Sequence, residues 1–311
     1  MASMATSTAP RRRRTERSVA GLVGPAVALV FLVQLVPIAL AVVMSFLRLG
    51  AAQLHDWTAA PFAGVENYRA AWGPGGWSDS QLLASAGRTA LYALIVAAGS
   101  WLLGISAAVL MAAPFRGRAV VQALLILPFA MPAYATVTSW RFLFDRDTGA
   151  INHLLVDELH LLHARPFWLI GGNAFWATVV VAIWRLWPFA YLVLAAALRS
   201  VPVEHYRAAA VDGASAWQSL RHITLPAIRN ANALVLSLSA LWCATDFSTP
   251  YLLFNDQPPP AATLLGNLAY RTAFDDLDFG TAAAMNLLTT ATLLTLAGCG
   301  LWRAVRRDGR G

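Results

Sequence analysis

The chain has 311 residues, of which 58% are hydrophobic and only 13% charged, and its mean hydropathy is +0.56. Soluble domains carry about a quarter charged residues, so this composition excludes an ordinary water-soluble globule and points to an integral membrane protein. The net charge of +7 comes from arginine alone, since the sequence has no lysine, and the placement of those arginines accounts for the basic pI without a nucleic-acid partner.

In chain order, a basic tail over 1–18 comes first, with Arg11, Arg12, Arg13, Arg14 and Arg17. A membrane-crossing helix needs about 20 mostly apolar residues. Six runs have that length: roughly 19–46, 88–112, 118–142, 174–197, 230–253 and 280–302. The first is too long for a signal-peptide core and no cleavage pattern follows it, so it is expected to remain. Pro25, Pro37, Pro128, Pro132 and Pro188 fall inside these runs and read as simple kinks, tolerated where neighbouring helices satisfy the freed backbone groups. The predicted fold is an all-α, six-span membrane domain over 19–302, closed by a second basic tail over 303–311.

Arginine placement orients it. With the N-terminus inside, the inner segments hold fifteen of the 23 arginines but four of the 16 acids. The orientation is therefore N-in and C-in, with outer loops at 47–87, 143–173 and 254–279. Within the second outer loop, Leu154 to Ala164 has helical apolar spacing and is expected to lie along the membrane surface. His160 and His163 are three apart there, but no third ligand accompanies them, so no metal site is expected. Cys243 and Cys299 lie inside apolar runs and form neither a disulfide framework nor a metal-type spacing.

No phosphate-cradling GxxxxGK[ST], no GxSxG and no HExxH occurs. These absences favour transport over catalysis, without a cofactor. A transporter lacking its own energy site uses an ion gradient or borrows an ATPase.

The inner loop at 198–229 is the most informative stretch. Glu204 to Asp212 is built of good helix formers, Gly213 supplies a sharp turn, Ser215 caps a second short helix, and Pro226 tilts the chain into the fifth run. The product is a helix–turn–helix on the cytoplasmic face. Ala208, Val211, Trp217, Leu220, Ile223 and Leu225 are placed to form one apolar face, which either plugs into a partner or belongs to a plain amphipathic connector.

This stretch resembles the EAA loop of ABC-importer permeases, E-A-A-x3-G-x9-I-x-L-P: Ala208 and Ala209, then Asp212 and Gly213, then Ile223, Leu225 and Pro226 hold the pattern. The motif's Glu is replaced by Arg207, with Glu204 one helical turn away. Further pieces follow the sugar-permease branch (MalF/UgpA type) along nearly the whole chain: FAGVENY (62–68), LPFAMP (127–132), WRFLF (140–144), GAIN (149–152), WRLWPF (184–189), LRSVP (198–202), AYRTAF (269–274) and FGTAAA (279–284). NDQP (255–258) departs from the family's T-x-G-G-P turn.

The resemblance implies a permease subunit that carries a sugar or sugar-like solute while a partner hydrolyses ATP. Its implied partners are ABC ATPase subunits docking on the 198–229 loop, a second homologous permease, and an extracytoplasmic solute-binding protein. Alternatives are a glycerol-phosphate or polyol importer, and a stand-alone secondary transporter. The latter would show pseudo-symmetric halves and broken helices, which the sequence does not display.

Ionisable residues within membrane runs are functional candidates. Arg185 in the fourth run and Asp246 in the fifth are such residues, either lining a solute path or forming a structural ion pair. Asn286 in the sixth run adds a polar group. Trp140, Trp184 and Trp242 offer aromatic surfaces for a sugar, or simple packing.

Overall fold

The computed structural model describes residues 11–72 and 79–308, with side chains over 23–71 and 81–295. The outermost parts of both predicted basic tails, 1–10 and 309–311, lie outside the described residues, as does the side chain of Cys299. The longer elements are α1 (Arg11–Ser45), α2 (Glu66–Trp72), α3 (Asp79–Leu110), α4 (Arg118–Ala130), α5 (Ala133–Leu143), α6 (Asn173–Leu198), α7 (Val203–Val211), α8 (Ala216–Ser219), α9 (Arg229–Ala244), α10 (Ser248–Leu253), α11 (Leu265–Phe274) and α12 (Phe279–Asp308). Among the described residues the fold is all-helical apart from one isolated bridge between Leu47 and Phe62.

Three of these helices are long and apolar enough to cross a membrane: Val23–Ser45 within α1, Gln81–Leu110 within α3, and α6. The third run, expected to be one kinked helix, is instead two. The pair α4 and α5 passes the same test only together and is bent by 95°. Pro132 explains the break. It has no N–H to continue the ladder, and it sits in extended backbone at φ −56, ψ 137. Its carbonyl then accepts from Thr136 N–H at 3.0 Å to start α5. The fifth run is broken as well, between Ala244 and Ser248, where α9 gives way to α10. Broken helices, absent from the sequence reading, are thus a feature of the fold.

α3, α6 and α9 form the centre. On α3 one face carries Ala93, Ala97, Ser100, Gly104 and Ala108, at helical spacing, and Ala93, Ala97, Ser100 and Ala108 are buried. Small residues matter here because lipid is as apolar as leucine, so membrane helices associate through close packing, not through escape from solvent. Gly104 shows the tightness. A Cβ there would lie 2.6 Å from Ala190 Cβ and 2.8 Å from Tyr191 N on α6. Two core groups flank this contact, one around Tyr92, Val96, Phe175 and Val179, the other around Ile105, Tyr191, Leu194 and Val235. By contrast α1 leaves its side chains from Val23 to Leu40 exposed.

The recurring sequence pieces turn out to be clamps. In FAGVENY, Asn67 donates its amide hydrogens to Ser45 O at 2.9 Å and Leu47 O at 2.8 Å. Tyr68 Oη hydrogen-bonds Ser45 Oγ at 2.7 Å, so the motif closes the orphaned carbonyl end of α1. In GAIN, Asn152 donates to Arg146 O and Pro166 O and accepts from Trp168 Nε1 at 2.7 Å, knotting the outer loop. Asp145 opens that loop by accepting from the Thr148 backbone N–H, and this bond holds its carboxyl below the usual aspartate range. The surface helix expected over Leu154–Ala164 stops early. A π turn spans His153–Glu158, and His160 lies at φ 50, a left-handed geometry that ends helical winding. His153 instead hydrogen-bonds Asp157, which Arg165 also holds at 2.6 Å.

Candidate functional site

The break between α9 and α10 is built by Asp246. Its Oδ1 accepts from the Thr249 backbone N–H at 3.0 Å, capping the start of α10, and its Oδ2 accepts from Tyr92 Oη on α3 at 2.7 Å. Tyr92 is fully buried. On the next residue, Phe247 O accepts from Asn267 Nδ2 on α11 at 3.1 Å. Backbone that leaves the helical ladder at membrane depth is tolerated when such partners replace the lost bonds.

The expected ion pair takes a different form. Arg185 Nη1 donates to Thr249 Oγ1 at 2.8 Å, so Arg185 and Asp246 meet through Thr249. Among the described ion pairs, none joins them directly. The physical reason is that Asp246 spends its oxygens on the helix cap and on Tyr92.

Arg185, Asp246 and Thr249 line a cleft of about 380 Å³, together with Phe129, Met131 and Trp242. Trp242 lies over Phe189 at 4.8 Å between ring centroids, and Phe189 over Phe129 at 6.2 Å. This aromatic group sits where the α4–α5 break opens. The site therefore lies between two broken helices, with one cation, one anion and aromatic faces. Such an arrangement suits a polar solute that offers hydroxyls to charged groups and an apolar face to rings.

Asn286 lines a second cleft of about 330 Å³, on the other side of the same break. Thr245 and Phe247 belong to both. Trp140 and Trp184 line neither; they pack edge-to-face at 5.8 Å, and Trp140 lies against Phe144. The sequence reading missed Tyr92, whose signal was the one tyrosine of the second run. It also missed Phe129, Phe189 and Tyr270, which carry no signal separate from ordinary packing.

The 198–229 loop takes the helix–turn–helix form. Gly213 has φ +76, its N–H bonds Ala210 O at 3.2 Å, and Ala214 N–H bonds Ala209 O at 2.9 Å. This is the left-handed helix stop that glycine favours. Ser215 and Gln218 exchange side-chain-to-backbone bonds at the start of α8, at 3.3 and 2.7 Å. Tyr206 Oη reaches Thr224 Oγ1 at 3.0 Å and so fastens α7 to the exit of the loop. A π turn spans Leu220–Thr224 before Pro226. The expected apolar face divides: Val211 is 88% exposed and Trp217 66%, whereas Leu225 packs into the bundle with Ile228 and Val235. Glu204, Arg207, Ala208 and Asp212 are exposed, while Ala209 and Ile223 are half-buried. Asn232 accepts from Trp101 Nε1 at 3.0 Å and donates to Leu225 O at 3.2 Å, tying the loop's exit to α3.

The departing NDQP turn keeps its left-handed backbone, with Asn255 at φ 49 and Asp256 at φ 62. Asn and Asp are the non-glycine residues that visit this region most readily, and Arg141 hydrogen-bonds Asn255 across the turn.

Comparison with known proteins accords with this architecture. The family model for "Binding-protein-dependent transport system inner membrane component" matches residues 100–299. The inner membrane ABC transporter permease protein YcjO of Escherichia coli (strain K12) is 36% identical over 247 residues, covering 79% of this chain and 80% of that protein. The trehalose/maltose transport system permease protein MalF of Thermococcus litoralis is 27% identical over 237 residues, covering 76% and 77%. Among solved structures, a chain of a bacterial ABC transporter involved in the import of the polysaccharide alginate superposes with a TM-score of 0.76 at 19% identity, covering 95% of this chain and 99% of that one. At that identity the likeness shows the fold alone. The matched family model, the YcjO relationship and the shared helical fold together make this chain a member of the binding-protein-dependent transport system inner membrane component family, a permease of the ABC-transporter class.

Proposed function

We propose that this chain is one of two permease subunits of an ABC importer that carries a sugar or sugar-like solute into the cell. The cleft at the α9–α10 break carries this reading. It sets Arg185 and Asp246 beside the rings of Trp242 and Phe129 at the depth where the helices are interrupted, and the trehalose/maltose permease is among its relatives. The solute path takes in Asn286, Asp246 and Arg185, with Trp140 and Trp184 packed beside it.

In this reading the chain crosses the membrane six times over 19–302, N-in and C-in, with basic tails at 1–18 and 303–311. The 198–229 loop faces the cytoplasm and docks on an ATPase subunit that hydrolyses the ATP. Exposed Val211 and Trp217 form the apolar part of that docking face, and Glu204 with Arg207 supplies its charge. An extracytoplasmic solute-binding protein delivers the solute to the opposite side. The guanidinium of Arg185 favours one second reading, an importer of a glycerol phosphate or another anionic polyol.

Two measurements test this. Asp147→Cys should react with an impermeant maleimide only from outside and Ser215→Cys only from inside; the reverse sinks the orientation. The complex with its ATPase, second permease and binding protein should take up maltose or trehalose with ATP hydrolysis. Uptake of glycerol 3-phosphate alone would establish the second reading, and uptake without ATP would sink both.

A further inference from the structure

The second cleft has a chemistry of its own. Its wall on α12 is polar, yet most of that polarity is already spent. Thr289 and Thr290 each turn their hydroxyl back to the carbonyl four residues earlier, at 2.8 Å. Such back-bonded threonines need no outside partner. Asn286 differs. Its carboxamide is exposed, no other residue is bonded to its side chain among the described residues, and it faces the cleft. An amide at membrane depth has to find a partner, be it water, protein or solute.

Opposite it runs a ladder of rings. Phe247 at the break lies 5.0 Å from Tyr270, Tyr270 lies 4.7 Å from Phe274, and Phe274 lies 6.0 Å from Phe279 at the start of α12. Phe274 is 58% exposed. Phe247, Tyr270 and Phe274 line the cleft of about 330 Å³, which has no charged side chain in its lining. The cleft, given room by Ala244, Gly266, Ala269 and Ala273, holds these rings around one free amide. It fits a flat ring with an apolar face and a hydroxylated edge.

We infer that this cleft is a second solute subsite, in which a neutral pyranose ring stacks on Tyr270 and Phe274 and hydrogen-bonds Asn286. Phe247 separates it from the charged cleft at Arg185 and Asp246. This inference rests on the sugar reading above. The two clefts share Thr245 and Phe247, so a solute leaving one enters the other by passing a single phenyl ring. The uncharged subsite receives the ring by stacking, and the charged cleft then grips its hydroxyls.

The test uses the full transport complex in proteoliposomes, with Asn286→Cys placed in a chain carrying Cys243→Ala and Cys299→Ser. The rate of modification by a small cationic methanethiosulfonate is measured with and without maltose and trehalose. Asn286→Cys should react, and a transported sugar at about ten times its half-saturating concentration should slow the reaction about tenfold, as occupancy of one site requires. Failure to react would mean that lipid or a partner helix covers Asn286, and would overturn the subsite. Reaction with no protection by a sugar that the complex transports would overturn it too, leaving a water-filled crevice. If the parent complex transports neither sugar, the sugar reading falls and the subsite with it. Uptake beside an unprotected cysteine removes the subsite alone. Thr290→Cys, one turn further along the same wall, serves the same measurement should Asn286→Cys not assemble.

Discussion

Replacing Asp246 by Leu is the sharpest test of how the helix break is held. The carboxylate accepts two hydrogen bonds, from Tyr92 Oη at 2.7 Å and from Thr249 N–H at 3.0 Å. Both donors come from buried residues. Leucine is close in volume but accepts nothing. Hydrogen bonds to a charged group are worth about 1.5–3 kcal/mol each, so losing both costs about 3–6 kcal/mol. Asp246→Asn keeps an acceptor for Thr249 N–H and turns an amide towards Tyr92, whose hydroxyl can rotate to accept. Its cost is the difference between charged and neutral bonds, about 1–2 kcal/mol. Tyr92→Phe removes one bond and should fall between the two. The assay is thermal denaturation of the detergent-solubilised complex, read as loss of the monodisperse size-exclusion peak. Tyr92→Phe combined with Asp246→Leu should cost less than the sum of the single changes, because both delete the same contact. An Asp246→Leu complex as stable as the parent would refute the argument. So would strict additivity with Tyr92→Phe. Thr249→Val should disconnect Arg185 while leaving the Asp246 cap intact, so it should impair uptake more than stability.

Gly213→Val should insert and assemble but lose solute-stimulated ATP hydrolysis, because a β-branched residue at φ +76 costs upwards of about 1–2 kcal/mol and reshapes the turn; normal stimulation would reduce 198–229 to a connector. Glu204 and Arg207 lie three apart on α7, both exposed, and the proposed docking gives Glu204 the role of the carboxylate that the EAA pattern carries at the position of Arg207. Glu204→Ala should therefore lower the ratio of uptake to ATP hydrolysed more than Arg207→Ala does, and equal coupling in both would leave docking to Val211 and Trp217. Gly104→Ala should destabilise the complex by about 1–3 kcal/mol through overpacking, since the new Cβ meets Ala190 Cβ at 2.6 Å and Tyr191 N at 2.8 Å; an unchanged denaturation midpoint would show that α3 and α6 can part without cost.

The sequence by itself determined the helical class, the apolar runs and the form of the 198–229 loop. Each rests on a local cause. Lipid forces a spanning segment to satisfy its backbone internally, so length and apolarity are legible in one dimension. The turn at Gly213 and the cap at Ser215 involve partners within five residues. Tertiary structure decided the rest. Pro132 looked like the other prolines, yet Pro25, Pro37, Pro128 and Pro188 stay inside helices while Pro132 takes extended backbone between two helices bent by 95°. Asp246 and Arg185 read either as groups on a solute path or as an ion pair, and only the fold gives Asp246 its bond to Tyr92, 154 residues away in the chain. Trp140 and Trp184 read as solute surfaces or as packing, and only the fold sets them edge-to-face at 5.8 Å. Asn286 was legible as a polar candidate in the sixth run, but that it lines a cleft with Tyr270 and Phe274 of α11 is a tertiary fact. A side chain's chemistry is written in the sequence, but which group it spends that chemistry on depends on what the fold brings within 3 Å of it.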